Sequence, residues 1–176
     1  MLEFEAGFYI IASLVSIPLA YYFLKKRKWI ELVMYFSLFI YILFVLSLTL
    51  FPIPIQKELI MQMQSDQFLK NNYIPFSNMN DQTMITQIGG NILLTLPMGF
   101  YIPFLIRKII SYPKIASYGF FIAMTIELLQ FTISMLIGVT YRVTDIDDVI
   151  LNTLGVVVGY LFFRMMRLLI KLPSVS

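Results

Sequence analysis

Five stretches of this sequence, residues 6–24, 29–51, 90–106, 115–137 and 147–163, are apolar for long enough to cross a lipid bilayer. A helix of about 20 such residues spans the hydrocarbon core, so these runs constrain the fold more than any other feature. In lipid, every backbone amide and carbonyl must be satisfied within the protein, which leaves helices or a closed barrel. The runs lack the ten-residue alternation of apolar and polar positions that barrel strands show, so helices are expected. The third run is the shortest and is interrupted by Pro97 and Pro103. The chain is 59% hydrophobic and 13% charged, whereas a domain that must coat itself for water carries roughly a quarter charged residues. The expected fold is all-α: one transmembrane domain over residues 1–176, a polytopic membrane helix bundle with five transmembrane helices.

The basic residues orient this bundle. Lys25, Lys26, Arg27 and Lys28 follow the first run; Arg107, Lys108 and Lys114 separate the third from the fourth; Arg164, Arg167 and Lys171 follow the fifth. With five crossings these ten fall on one side, and Lys57, Lys70 and Arg142 fall on the other. The positive-inside rule then places the N-terminus outside and the C-terminus in the cytoplasm. Glu3 and Glu5 precede the first run and its basic cluster follows it, the reverse of a secretory signal, so it is expected to be retained. Residues 52–89 form a long external loop, with a short surface helix expected over 58–67 and an extended turn fixed by Pro75.

The chain has neither cysteine nor histidine. Disulfides, thiolate or imidazole metal sites and Ser–His–Asp chemistry are thereby excluded. No metal site and no cofactor is expected, with a carboxylate-bound Mg²⁺ the one possibility the residue types leave open. The net charge of +3 sits in the membrane-flanking clusters, so no nucleic-acid partner is expected.

Ionisable and amide groups inside the apolar runs are the candidate site. Glu127 lies ten positions before the end of the fourth run, about 15 Å from the outer surface at 1.5 Å per residue, and a charge at that depth needs a partner or a wet cavity. Ala123, Glu127, Gln130 and Ser134 share one helical face. On the fifth run Asp145, Asp148, Asn152, Gly155 and Gly159 do the same, the glycines forming a G-x-x-x-G pair. On the third run Asn91, Thr95 and Gly99 recur at steps of four, and Pro97 frees the carbonyl of Leu93. Three such faces are expected to meet in a polar pocket in the outer half of the bilayer. Candidate ligand-binding residues are Asn91, Glu127, Gln130, Arg142, Asp145, Asp148 and Asn152, with Glu127 and Asp148 as candidate acid/base groups. Each also has a purely structural reading. Asp145, Asp147 and Asp148 suit a helix N-terminus, and Asp147 points off the stripe. The glycines suit packing, Asn91 a cap, Arg142 a surface counter-charge, and Glu127 a structural lock with an amide.

The blocks N-x-x-P-F (Asn72, Pro75, Phe76), N-I-L-L-x-L-P-x-G (Asn91, Pro97, Gly99), E-L-L-Q-F (Glu127 to Phe131) and R-x-x-D-I-x-D-x-x-x-N-x-x-G-x-x-x-G (Arg142 to Gly159) lie in order over residues 72–159. In these the chain resembles the VanZ-like membrane proteins, a family associated with resistance to glycopeptide antibiotics such as teicoplanin. The resemblance implies a multi-pass protein of a bacterial cell membrane and brings no settled biochemical activity with it.

Three functions follow as expectations. The first is binding of membrane lipids, such as a lipid-linked cell-wall precursor, or of a lipophilic glycopeptide, so that the envelope is protected; Arg142 would meet a phosphate. The second is an intramembrane enzyme that uses Glu127 or Asp148 as acid or base on a lipid-linked cell-wall substrate. The third is a proton-coupled transporter, which five helices without inverted repeats favour least.

Overall fold

The computed structural model describes residues 29–65, 72–77 and 81–170, together with Leu14. Apart from Leu14, the expected first helix at 6–24 lies outside the described residues, as does its basic cluster. Among the described residues the chain is helical without strands: α1 (Trp29–Leu50), α2 (Lys57–Ser65), α3 (Asp81–Ile106), α4 (Tyr112–Ile137) and α5 (Ile146–Ile170). Four of these are long and apolar enough to cross a membrane: α1, α3 from Met84, α4, and α5 to Leu169. The chain divides into two compact units, Met1–Ser65 and Asp66–Ser176.

In the first unit, α1 fills the expected 29–51 run. Its hydroxyls return to its own backbone, Ser37 Oγ donating to Met34 O and Thr49 Oγ1 to Val45 O. Each thereby satisfies its hydroxyl proton within the helix. α2 supplies the short helix expected over 58–67.

The second unit contains α3, α4 and α5. α3 starts at Asp81, well before the expected position 90, so Gly89 and Gly90 lie inside it. A Cβ at either glycine would meet nothing within 4 Å, so neither marks a close approach. Each costs a helix only about 1 kcal/mol relative to alanine. The polar residue Gln87 on this extra length reaches the start of α5, a contact the apolar pattern does not register. α4 begins after extended Ser111 with Pro113 in its first turn. It ends at Gly138, whose φ of 82° lets its N–H reach Ser134 O at 3.0 Å. α5 runs beyond the expected position 163 to Ile170, carrying Arg164 and Arg167. Long basic side chains can extend from an apolar helix end toward water, so they need not terminate it.

α5 is the central member. It packs against α3 and against α4, which scarcely touch one another. The α3–α5 crossing is backbone on backbone: a Cβ on Gly159 would overlap the Leu96 carbonyl, and one on Gly99 would overlap the Val156 carbonyl. The G-x-x-x-G pair is therefore a packing device. Tyr160 is wholly buried beside Ile102, Ile110, Ile115 and Val156. Its hydroxyl donates to Ile110 O and accepts the Ile110 N–H, pinning the α3–α4 turn to α5. The outer faces of these helices carry exposed Leu93, Phe121, Leu136 and Leu168, a surface suited to lipid rather than water.

Candidate functional site

The connection from α4 to α5 and the first turn of α5 organise the polar groups. Asp145 caps the helix: its Oδ1 accepts the Asp147 N–H at 2.9 Å and its carbonyl the Asp148 N–H at 3.2 Å. A distant segment, 72–77, is clamped onto this cap. Asn72 donates its N–H to Thr144 O and accepts the Ile146 N–H, forming an isolated parallel bridge with Asp145. Its Nδ2 reaches Asp145 Oδ1 at 2.9 Å and Asp147 Oδ2 at 3.3 Å, and its Oδ1 accepts from Ser77 and from the Ile74 N–H. Asp147 Oδ1 accepts the Phe76 N–H. Phe76 takes a φ of 60°, in the left-handed region.

Asp147 is thus wholly buried and holds a loop, a role the helical stripe does not reveal. Sequence reasoning leaves both Asn72 and Asp147 out of the site. The one local signal is the N-x-x-P-F block, whose asparagine and phenylalanine supply the clamp's donors.

The α3 and α5 stripes do meet. Asn91 Nδ2 donates to Asp148 Oδ1 at 2.6 Å, and Gln87 Nε2 lies 3.5 Å from both Asp148 Oδ1 and Asp145 Oδ2. One turn further along, Thr95 Oγ1 is 2.7 Å from Asn152 O. Asn152 is 2% exposed, and among the described residues its buried Oδ1 has no hydrogen-bond partner.

The α4 stripe meets the other side of α5. Ala123, Glu127, Gln130 and Ser134 are all buried. Glu127 Oε2 accepts the Asp145 N–H at 3.1 Å, so Asp145 joins both sides of α5. Beside Glu127 lies an open cavity of about 270 Å³. Met124, Leu128 and Phe131 of α4 form one wall, Ile146 and Val149 of α5 the other, and Tyr73 and Thr144 its rim. A smaller hollow of about 190 Å³ continues past Phe131 along Ser134, Met135 and Thr140.

The expected site residues therefore fall into two groups. Asn91, Asp148 and Asn152 lie along the α3–α5 seam, while Glu127 and Asp145 line the cavity. Gln130 is buried one turn from Glu127. Arg142 is half-buried next to Tyr141 and is not among the cavity's lining residues. Burial pushes the Tyr141 phenol above its ordinary range, and the charge of Arg142 partly offsets this. Asp145 Oδ1 and both carboxylate oxygens of Asp147 are taken up by the cap and clamp. Among the described residues no three acidic groups converge so as to hold a metal ion.

The family model VanZ/LLP1 matches this chain over residues 36–168. The chain belongs to the VanZ/LLP1 family. The matched span contains the clamp, the seam and the cavity of this VanZ/LLP1 protein, with all of α3 and α4. No curated protein and no solved structure matches the chain. The four apolar helices and the family together make it a helical protein of membrane type.

Proposed function

We propose that this VanZ/LLP1 protein is a multi-pass protein of the bacterial cell membrane and binds a cell-envelope lipid in the outer half of the bilayer. The carrying observation is the cavity beside Glu127: hydrocarbon walls on two helices, a rim formed by the clamped segment, and a buried carboxylate at the polar end. Such a site accepts an amphiphile whose chain lies along α4 and whose polar group reaches Glu127. Apolar walls with a few placed polar groups are the usual make-up of a ligand site.

Charge placement supports five crossings with the N-terminus outside and the C-terminus in the cytoplasm. Within the second unit, Arg107, Lys108, Lys114, Arg164 and Arg167 gather at one end of the helices, and Asp145, Asp147 and Asp148 at the other. The cavity then opens near the external face, where cell-wall precursors and glycopeptides such as teicoplanin are found. Holding a precursor lipid or the acyl chain of a lipophilic glycopeptide there would keep the two apart.

A second reading, an intramembrane enzyme acting on a lipid-linked substrate, has one observation in its favour. Among the described residues Glu127 accepts a single hydrogen bond and lines an open cavity, the placement an acid/base group needs. Asp148 suits that role less, because Asn91 and Gln87 engage its carboxylate.

The test is to purify the protein from its native membrane and identify the retained lipid by mass spectrometry. One lipid class should be enriched over the bulk membrane and lost from Glu127→Gln. A retained profile identical to bulk lipid overturns the binding reading. Turnover of that lipid by wild type but not by Glu127→Gln selects the enzyme.

A further inference from the structure

The ionisable side chains that line the cavity on α4 and at the start of α5 are both carboxylic. Among the described residues its lining brings two carboxylates, Glu127 and Asp145, with the hydroxyls of Thr144 and Tyr73, and neither lysine nor arginine. Asp145 has little left to offer a ligand: Asn72 and the Asp147 N–H hold its Oδ1, and Gln87 approaches its Oδ2. Glu127 is 3% exposed and, among the described residues, takes one hydrogen bond, from Asp145 N–H to Oε2. A carboxylate offers about four lone-pair sites, so one hydrogen bond leaves accepting capacity for a ligand in the cavity that Glu127 lines. The main-chain donor nearest to it is already used.

The Thr144 and Tyr73 hydroxyls can donate as well as accept, whereas a group that meets Glu127 must bring its own donor. A phosphate pressed against Glu127 and Asp145 would add negative charge to a pair of carboxylates, between hydrocarbon walls, with no cation among the described lining residues to offset it. An ammonium or a sugar hydroxyl supplies a donor that Glu127 can accept. At about 270 Å³ the cavity is below the ~300–1,000 Å³ that encloses a drug-sized ligand, so it takes a headgroup with the start of a chain.

We propose that the cavity selects amphiphiles whose headgroup presents hydrogen-bond donors, an ammonium or sugar hydroxyls, to Glu127, over those that present a bare phosphate there. This inference rests on the lipid-binding reading and narrows it. Any phosphate carried by the same molecule lies outside the cavity, away from the Glu127 carboxylate.

The chain has no cysteine, so a dye on Met135→Cys, at the exposed edge of the adjoining hollow, reports binding from a single place. The full-length protein in phosphatidylcholine nanodiscs is titrated with dodecylamine, dodecyl glucoside and dodecyl phosphate, which share one chain and differ in headgroup. At least one of the two donor probes should bind saturably and at least tenfold tighter than dodecyl phosphate, and which one does so tells ammonium from hydroxyl. Glu127→Gln should abolish the preference for dodecylamine while keeping that for the glucoside, since the amide oxygen still accepts. Leu128→Trp and Phe131→Trp, which fill the groove, should weaken every probe.

Equal or tighter binding of dodecyl phosphate, still lost in the groove-filling variants, overturns the headgroup inference and leaves the lipid-binding reading standing. Absence of saturable binding, or binding indifferent to both groove-filling variants, overturns the two together. Thermal unfolding of each variant identifies any that is misfolded, and the remaining groove-filling variant then decides.

Discussion

Asp147 and Phe76 are 71 residues apart in sequence, yet the wholly buried carboxylate of Asp147 accepts the Phe76 N–H at 2.8 Å. This bond and those of Asn72 fasten the segment that contributes Tyr73 to the cavity rim. Asp147→Ala should destabilise the protein by about 3 kcal/mol, because it removes charged hydrogen bonds and strands buried donors. Hydrogen exchange at the Phe76 amide should accelerate at least tenfold. An unchanged exchange rate would mean that the clamp does not hold the loop.

The glycines of the second unit divide into two kinds. A Cβ on Gly159 collides with the Leu96 backbone, whereas one on Gly90 meets nothing within 4 Å. Gly159→Ala should cost about 2 kcal/mol or more, since two backbones must separate. Gly90→Ala should be neutral or stabilising by up to about 1 kcal/mol through helix propensity. Thermal unfolding of the two variants in the same detergent compares them directly, and equal effects would contradict the close α3–α5 crossing.

Asn91 and Asp148 form the shortest side-chain link of the α3–α5 seam, at 2.6 Å. A double-mutant cycle with Asn91→Ala and Asp148→Ala should return a coupling of about 1 kcal/mol, in the range for interhelical hydrogen bonds within membranes. Additive losses would place the two side chains apart.

Helical periodicity made much of this seam legible in advance. Asn91, Thr95 and Gly99 on one helix, and Asp148, Asn152, Gly155 and Gly159 on another, share faces because a helix fixes the angle between successive positions. The two stripes meet as their spacing implies. The start of α3 was not legible. Gly89 and Gly90 look like a helix boundary, and only the reach of Gln87 toward Asp145 and Asp148 shows why the helix continues through them.

Asp147 was obscured for a different reason. Its partners come from a segment far upstream, and no local pattern records a contact made by chain return. The division between an α3–α5 seam and an α4 cavity was also hidden. A wheel diagram shows which groups share a face, whereas the side of α5 on which each neighbouring helix packs is set by tertiary contacts.

Tyr160 illustrates the same limit. In the sequence it is one aromatic among many, yet its hydroxyl serves both main-chain groups of Ile110. Tyr160→Phe should cost about 2 kcal/mol by leaving a buried N–H and C=O unpaired. The loss should appear as faster exchange of the Ile110 amide, with the α5 amides near Asp148 unaffected. Uniform acceleration throughout the unit would contradict a local pin.

The most direct measurement is photocrosslinking in living cells with a benzophenone amino acid at position 73, an exposed aromatic on the cavity rim, and at position 121, on the exposed face of α4. Position 121 should capture bulk phospholipid in proportion to its abundance. Position 73 should capture one envelope lipid out of proportion, and Glu127→Gln should abolish that enrichment. The same lipid profile at both positions, unchanged by Glu127→Gln, would contradict a lipid site at Glu127.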